Sequence, residues 1–163
     1  MTFDLMPSAR RATMTKAGLW RDDTLLDFFR RHVAATPGKT AFIAQRAEAG
    51  DETRLTYADL DALSDRVAVG LMRLGIGEGD VVAFQLPNWW QVPVLHLACL
   101  KLGAVSNPLM VIFRERELTF MLGLAATKVF VVPARFRNVD HRAIAMNVKA
   151  ELPAPLHVFV VDG

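Results

Sequence analysis

The sequence predicts an α/β protein built on a doubly wound, mostly parallel sheet, with a small hairpin near its start. Three observations carry that prediction. Residues 81–86 form a short, uncharged, partly β-branched run, the pattern of a strand covered on both faces. A helical apolar pattern and a second strand-like run follow at once, so strand, helix and strand make one βαβ unit with short connections. The alternation then continues through two further helix and strand patterns to the end of the chain.

Residues 1–21 are polar, with Pro7, Ser8 and Gly18, and are expected to form an irregular, flexible leader at the surface. Thr24-Leu-Leu-Asp27 reads as a capping box opening a helix with Leu25, Leu26, Phe29 and Val33 inward, and Thr36-Pro37-Gly38 stops it. Residues 40–45 and 53–56 read as two strands of a hairpin, with Glu48-Ala-Gly-Asp51 as the turn. Thr56-Tyr-Ala-Asp59 repeats the capping box, and Leu60, Leu63, Val67, Leu71 and Leu74 follow at helical steps. Gly75-Ile-Gly-Glu-Gly79 then leads into the central strand.

Pro87-Asn88 ends that strand, and Asn88 is the expected N-cap of the next helix. Val92, Leu95, Cys99 and Leu102 give that helix one apolar stripe, Gly103 supplies a left-handed stop, and Ala104-Val105 starts a buried run closed by Asn107-Pro108. Residues 113–116 open another helix, with Leu118, Met121, Leu122 and Ala125 on one side. Residues 128–132 read as a strand, 139–152 as a helix and 157–161 as a final strand. Ligands of such sheets sit beyond the carboxyl ends of the strands, here near Pro87-Asn88 and Asn107-Pro108.

The bulk composition narrows the class. At 163 residues, 52% apolar and 22% charged, the chain has enough material for one globular core. A formal charge of +2 is weak for a nucleic-acid binder, and Arg135, Arg137, Arg142 and Lys149 read as a solvated face. Cys99 is the sole cysteine, so no internal disulfide can form and a cytoplasmic location is expected. Residues 1–18 hold no apolar core of a signal segment. Residues 81–100 lack charge, but Gln85, Pro87, Asn88, Gln91, Pro93 and His96 make them a poor membrane span.

Several residues invite a chemical role. Gly75, Gly77 and Gly79 follow a helix and precede a strand, the reverse of a dinucleotide loop, so they read as a tight turn. His96 and Cys99 have ligand spacing, but no further ligand stands near them, and core packing is the better account. Trp89 and Trp90 stand at the mouth of the sheet, either as a substrate wall or as ordinary packing at a helix start. Arg114 and Arg116 flank Glu115 and Glu117 as a solvated first turn or an anion contact. No catalytic constellation or metal site is read from these residues.

Motifs in order then carry a resemblance. They are T-L-L-D-F-F with A-A-T-P-G-K-T-A-F, R-L-T-Y-A-D-L-D from Arg54, G-L-M-R-L-G-I-G-E-G-D-V-V-A-F-Q-L-P-N from Gly70, L-K-L-G-A-V-S-N-P-L from Leu100 and K-V-F-V-V-P from Lys128. Residues 24–163 resemble the amino-terminal part of the AMP-forming acyl-CoA ligases, the acyl-adenylate-forming enzymes. N-P-L-M-V-I-F-R-E-R-E-L from Asn107 is most similar to cyclohexanecarboxylate–CoA ligases and neighbouring medium-chain acid ligases.

The resemblance implies an incomplete amino-terminal subdomain over residues 22–163, ending before the family's phosphate loop. The complete enzyme would use ATP, Mg²⁺ and coenzyme A to convert a small-molecule carboxylate to an acyl-adenylate and then an acyl-CoA. The Ser/Thr/Gly-rich loop ending Pro-Lys-Gly, the Thr-Glu motif, the ribose-binding Asp and the carboxy-terminal Lys are absent from this sequence, so no catalytic residue is carried over and no cofactor is expected for this chain alone. Some relatives place a basic residue after the Asn-Pro pair to contact coenzyme A; Leu109, Met110 and Val111 stand there, leaving Arg114 as the nearest substitute. Two rivals stand beside this reading. One is a short non-catalytic module derived from a ligase, self-associating through the face its missing half would cover. The other is an unrelated nucleotide-binding domain, which would need a glycine loop after a strand.

Overall fold

The computed structural model describes residues 8–46 and 50–162. Helix α1 (Ser8–Lys16) is followed by α2 (Leu25–Ala35), strands β1 (Thr40–Arg46) and β2 (Asp51–Thr56), and α3 (Tyr57–Arg73). Then come β3 (Val81–Phe84), α4 (Gln91–Leu102), β4 (Val105–Pro108), α5 (Glu115–Leu124) and β5 (Val129–Pro133). The two-residue strands β6 (Arg135–Phe136) and β7 (Val139–Asp140), α6 (His141–Glu151) and β8 (His157–Val161) complete it.

The main sheet is parallel throughout, in the order β4-β3-β5-β8. The chain runs outward from β3 to β4, then crosses back over β3 to β5 and continues to β8. Alternate side chains divide the strands between two cores. Val82, Phe84, Val129 and Val131 meet Leu71, Leu95 and Cys99 on one face. Ala83, Phe130 and Val132 meet Leu118, Leu122, Ile144 and Val148 on the other. Every residue of β5 is buried. With each large apolar side chain there worth about 1.5–3 kcal/mol on burial, the strand is stable only with helices on both sides. The doubly wound expectation is met.

A third cluster joins Phe29, Leu55, Leu60, Val94 and Leu97, docking α2 and the antiparallel β1–β2 hairpin on α3 and α4. Both capping boxes form. Thr24 Oγ1 accepts from Asp27 N and Thr56 Oγ1 from Asp59 N, at 3.3 and 3.1 Å, while each aspartate takes the threonine N–H. These hydrogen bonds hold both carboxyls below the usual carboxylate range. Lys101, nearly buried, pins α4 to α3 through Asp61 and Asp65 at 2.7 and 2.6 Å.

The local readings needed four corrections. Ser8–Lys16 is helical rather than irregular, though it buries no residue. Helix α4 starts at Gln91 with Trp90 as its cap residue, not Asn88, and no side chain caps it. Pro93 removes the third helical N–H and Val92 N already bonds Trp89 O, so a capping oxygen has little left to accept from. Buried residues cover more of α4 than one stripe, because Leu95 and Cys99 face the sheet while Val94 and Leu97 face the third cluster. Strand β4 is an exposed edge rather than a buried run, with Val105 49% exposed. Of the hairpin turn expected at Glu48-Ala-Gly-Asp51, residues 48 and 49 lie outside the described residues.

Among the described residues, no helix is long and apolar enough to cross a membrane. Burial pushes the Cys99 thiol up to about 11. Gly103 ends α4 with φ +69°, and an added Cβ would lie 3.3 Å from Glu78 Cγ. Gly103→Ala is expected to lower unfolding stability by about 1–2 kcal/mol, mainly from the left-handed backbone, as urea denaturation would measure.

Candidate functional site

Strand order reverses between β3 and β5, so the sheet's crevice opens at their carboxyl ends. A cleft of about 560 Å³ lies there, bordered by Pro87 and Asn88 after β3, Pro108 at the end of β4, Met110 and Ile112 beyond it, and Arg137. Its position matches the expected ligand edge. Its volume falls in the range of small-molecule sites.

Hydrogen bonds fix the cleft's wall. Leu109 N donates to Phe84 O at 2.9 Å, and the chain then runs through residues 110–113 before α5 begins. Gln85, fully buried, donates through Nε2 to Met110 O at 2.8 Å and Phe113 O at 3.1 Å. Arg114 Nη1 donates to Val111 O and Phe113 O, both at 2.8 Å. Met110, Val111 and Ile112 line the cleft, and among the described residues their backbone N–H groups have no intramolecular acceptor.

Gln85 Oε1 lies 3.1 Å from Nδ1 of His141, which opens α6 and is 1% exposed. Since the carboxamide hydrogens point at two carbonyls, its oxygen faces the ring and Nδ1 carries the proton. That leaves His141 Nε2 buried without a partner.

The β6–β7 hairpin was not foreseen in the sequence. Arg137 and Asn138 both have positive φ, at 46° and 63°, the mirror-image turn that suits a two-residue loop. Arg-Asn is a weaker turn signal than Asn-Gly, which hid it inside the helix expected from residue 139. The turn places Arg137 at the cleft, where its guanidinium lies 5.3 Å from the Phe136 ring centroid.

The two tryptophans separate. Trp89 stands edge-on to Phe136 at 6.3 Å and lines a second pocket of about 470 Å³ with Phe42, Gln45 and His96. Trp90 packs against the third cluster and borders an apolar groove of about 500 Å³ formed with α3, β5 and β8. They therefore do not share one wall. Arg114 does not line the 560 Å³ cleft but braces the backbone that does. His96 Nδ1 meets Ser106 Oγ at 2.8 Å, while Cys99 is buried in the sheet-facing core. Gly75 and Gly79 both have φ of 78° in the helix-to-strand turn, where Gly77 N donates to Asp80 Oδ2 at 3.0 Å.

Burial, and secondarily the Arg114 charge, depress the His141 pKa below its ordinary value, against an opposing effect of Asp140. Its neutral form is favoured by folding, so this contribution is complete above about pH 6.5 and is lost as pH falls below it. Urea unfolding is expected to show lower stability at pH 5.5 than at 7.5, with a smaller difference in His141→Gln.

Comparison with known proteins agrees with this architecture. The AMP-binding enzyme family matches residues 29–163. The chain is 35% identical over 153 residues to the medium-chain fatty-acid–CoA ligase of Escherichia coli, covering 94% of this chain and 26% of that protein. It is 32% identical over 157 residues to the 2-hydroxy-7-methoxy-5-methyl-1-naphthoate–CoA ligase of Streptomyces carzinostaticus, covering 96% and 27% respectively. The apo structure of Mycobacterium smegmatis MbtA superposes with a TM-score of 0.74, at 33% identity over 95% of this chain and 27% of that one. The chain thus spans about a quarter of the length of these relatives. With the family match covering most of its residues, the chain belongs to the AMP-binding enzymes.

Proposed function

We propose that the chain is the amino-terminal part of an AMP-forming carboxylic acid–CoA ligase whose substrate is a medium-chain or carbocyclic acid, with cyclohexanecarboxylate as one candidate. The reading rests on one observation above the others. The family match runs through a parallel sheet whose switch-point crevice is formed, yet the chain spans only about a quarter of its ligase relatives. The acids for which these relatives are named, a medium-chain fatty acid and a naphthoate, support an acid of that size range.

In this reading the complete enzyme works in the cytoplasm, forms an acyl-adenylate from ATP with Mg²⁺, and passes the acyl group to coenzyme A. Residues 22–163 are its first subdomain and residues 1–21 its leader. The parts that hold ATP and Mg²⁺ belong to the portion of the relatives this chain does not span: the sequence holds no Ser/Thr/Gly-rich phosphate loop. Among the described residues, no group of three His, Cys, Asp or Glu side chains is placed to bind a metal. Coenzyme A fits better. The cleft offers Arg137 and three unbonded backbone N–H groups to a phosphate ester, and Arg114 keeps Nε and Nη2 outside its bonds to Val111 and Phe113. Trp89 and Trp90 would wall separate stretches of substrate rather than one.

The isolated 163-residue chain is expected to show no pyrophosphate exchange into ATP with octanoate, cyclohexanecarboxylate or salicylate; exchange above background would overturn its assignment as an inactive part. A chimera carrying this chain in place of the matching first quarter of the Escherichia coli relative is expected to form acyl-CoA. A folded but inert chimera would count against the ligase reading.

The apolar groove bordered by Trp90, Val131, Phe159 and Val161 favours a second reading, a non-catalytic module that associates with itself. Phe159 there is 43% exposed. Sedimentation of the purified chain would show dimers or larger species under that reading, and a clean monomer at micromolar concentration would exclude it.

A further inference from the structure

We propose that Gln85 is a positioning residue for the cleft: its carboxamide, paired with His141, turns the backbone of residues 110–113 so that the carbonyls of Met110 and Phe113 are held inward and the N–H groups of residues 110–112 stay free for a phosphate-bearing ligand. The ligand class rests on the coenzyme A reading above; the positioning itself rests on geometry alone.

An isolated stretch such as residues 110–113 has no ladder to join and would ordinarily exchange its hydrogen bonds with water. Here three of its carbonyls are taken from within. Gln85 Nε2 bonds Met110 O and Phe113 O, and Arg114 Nη1 bonds Val111 O and Phe113 O again. One end of the stretch is anchored by Leu109 N on Phe84 O, and Arg114 N is anchored by Glu117 Oε2 at 3.1 Å. The N–H groups of Met110, Val111 and Ile112 are left over, in residues that line the cleft. Successive unbonded backbone N–H groups are ready donors to an anion.

The amide face of Gln85 is specified by the two carbonyls, which can only accept and so draw the NH₂ toward them. The oxygen is left to accept from His141 Nδ1–H, which completes the side chain's hydrogen bonding. The groups are 56 residues apart for Gln85 and His141, and 25 and 28 apart for Gln85 and the two carbonyls, so the arrangement is a product of the tertiary fold. Apolar residues alone would have filled the same space without fixing the backbone. Gln85 is wholly buried, and its side chain spends both polar atoms on this one stretch and the His141 ring.

The test substitutes Gln85→Glu, which keeps the size and removes both donors. Amide exchange at Leu109 and Phe113 is expected to rise at least tenfold, while exchange in the β5 core stays within twofold. Binding of coenzyme A, titrated calorimetrically, is expected to weaken at least tenfold. Unchanged exchange at both amides in a folded variant would overturn the proposal. Should the variant not fold, the unaltered chain decides by NMR. Protection of the Gln85 side-chain amide well above that of exposed Gln45, with the His141 Nδ1–H tautomer, supports the clamp, and equal exchange overturns it. If the unaltered chain binds no coenzyme A while the Gln85→Glu loop response is as expected, the coenzyme A reading of the cleft fails and the clamp stands.

Discussion

The burial of β5 on both faces is the constraint on which the rest depends. Val129, Val131 and their neighbours leave no side of the strand that water could cover without cost, so helices must lie above and below the sheet. The right-handed crossovers available to short βαβ connections then send β4 to one side of β3 and β5 to the other. The reversal opens a crevice, and the crevice is where backbone leaves the ladder. A fold selected for dry packing in its middle therefore creates, at one end, a place where polar groups must find partners.

The carboxyl end of β3 shows how that demand is met. Phe84 is the last strand residue and still belongs to the apolar core. Gln85 follows it, keeps the pairing through its N–H to Val131 O at 2.9 Å, and turns a polar side chain into the same buried space. An unbonded amide there would cost about 1–3 kcal/mol, and the carbonyls of residues 110 and 113 remove most of that cost. His141 Nε2 is the one atom of this network left without a partner. Arg137, in the hairpin turn that borders the cleft, has φ 46°, a conformation that costs a residue with a Cβ.

Much of the fold was legible because its signals are local. Both capping boxes, the Gly103 stop and the run of β5 are settled by residues within four positions of one another, and each formed as read. Readings failed where a distant neighbour decides. Asn88 is a good cap in isolation, but α4 begins only at Gln91, after Trp90 has packed against the third cluster brought by α2 and the hairpin. The pattern at Val92, Leu95, Cys99 and Leu102 describes one stripe, whereas the arrival of the hairpin and α2 buries a second side of α4 through Val94 and Leu97. Ala104-Val105 reads as interior, yet no strand lies beyond β4 in the described sheet, and it becomes an edge.

The sequence alone determined the elements of the main sheet, their order and its parallel, doubly wound form, because helix period, strand burial and chain stops act over a few residues; helix α1 and the β6–β7 hairpin were not among them. It also carried the family resemblance, which is an ordered set of such short stretches. The tertiary structure decided what stands at the cleft. It parted Trp89 from Trp90, set Arg114 Nη1 as a brace for Val111 and Phe113, and brought Gln85 to His141 across 56 residues. Those pairings depend on where whole strands and helices come to rest, which hydrophobic burial sets for the molecule at once and no local spacing records.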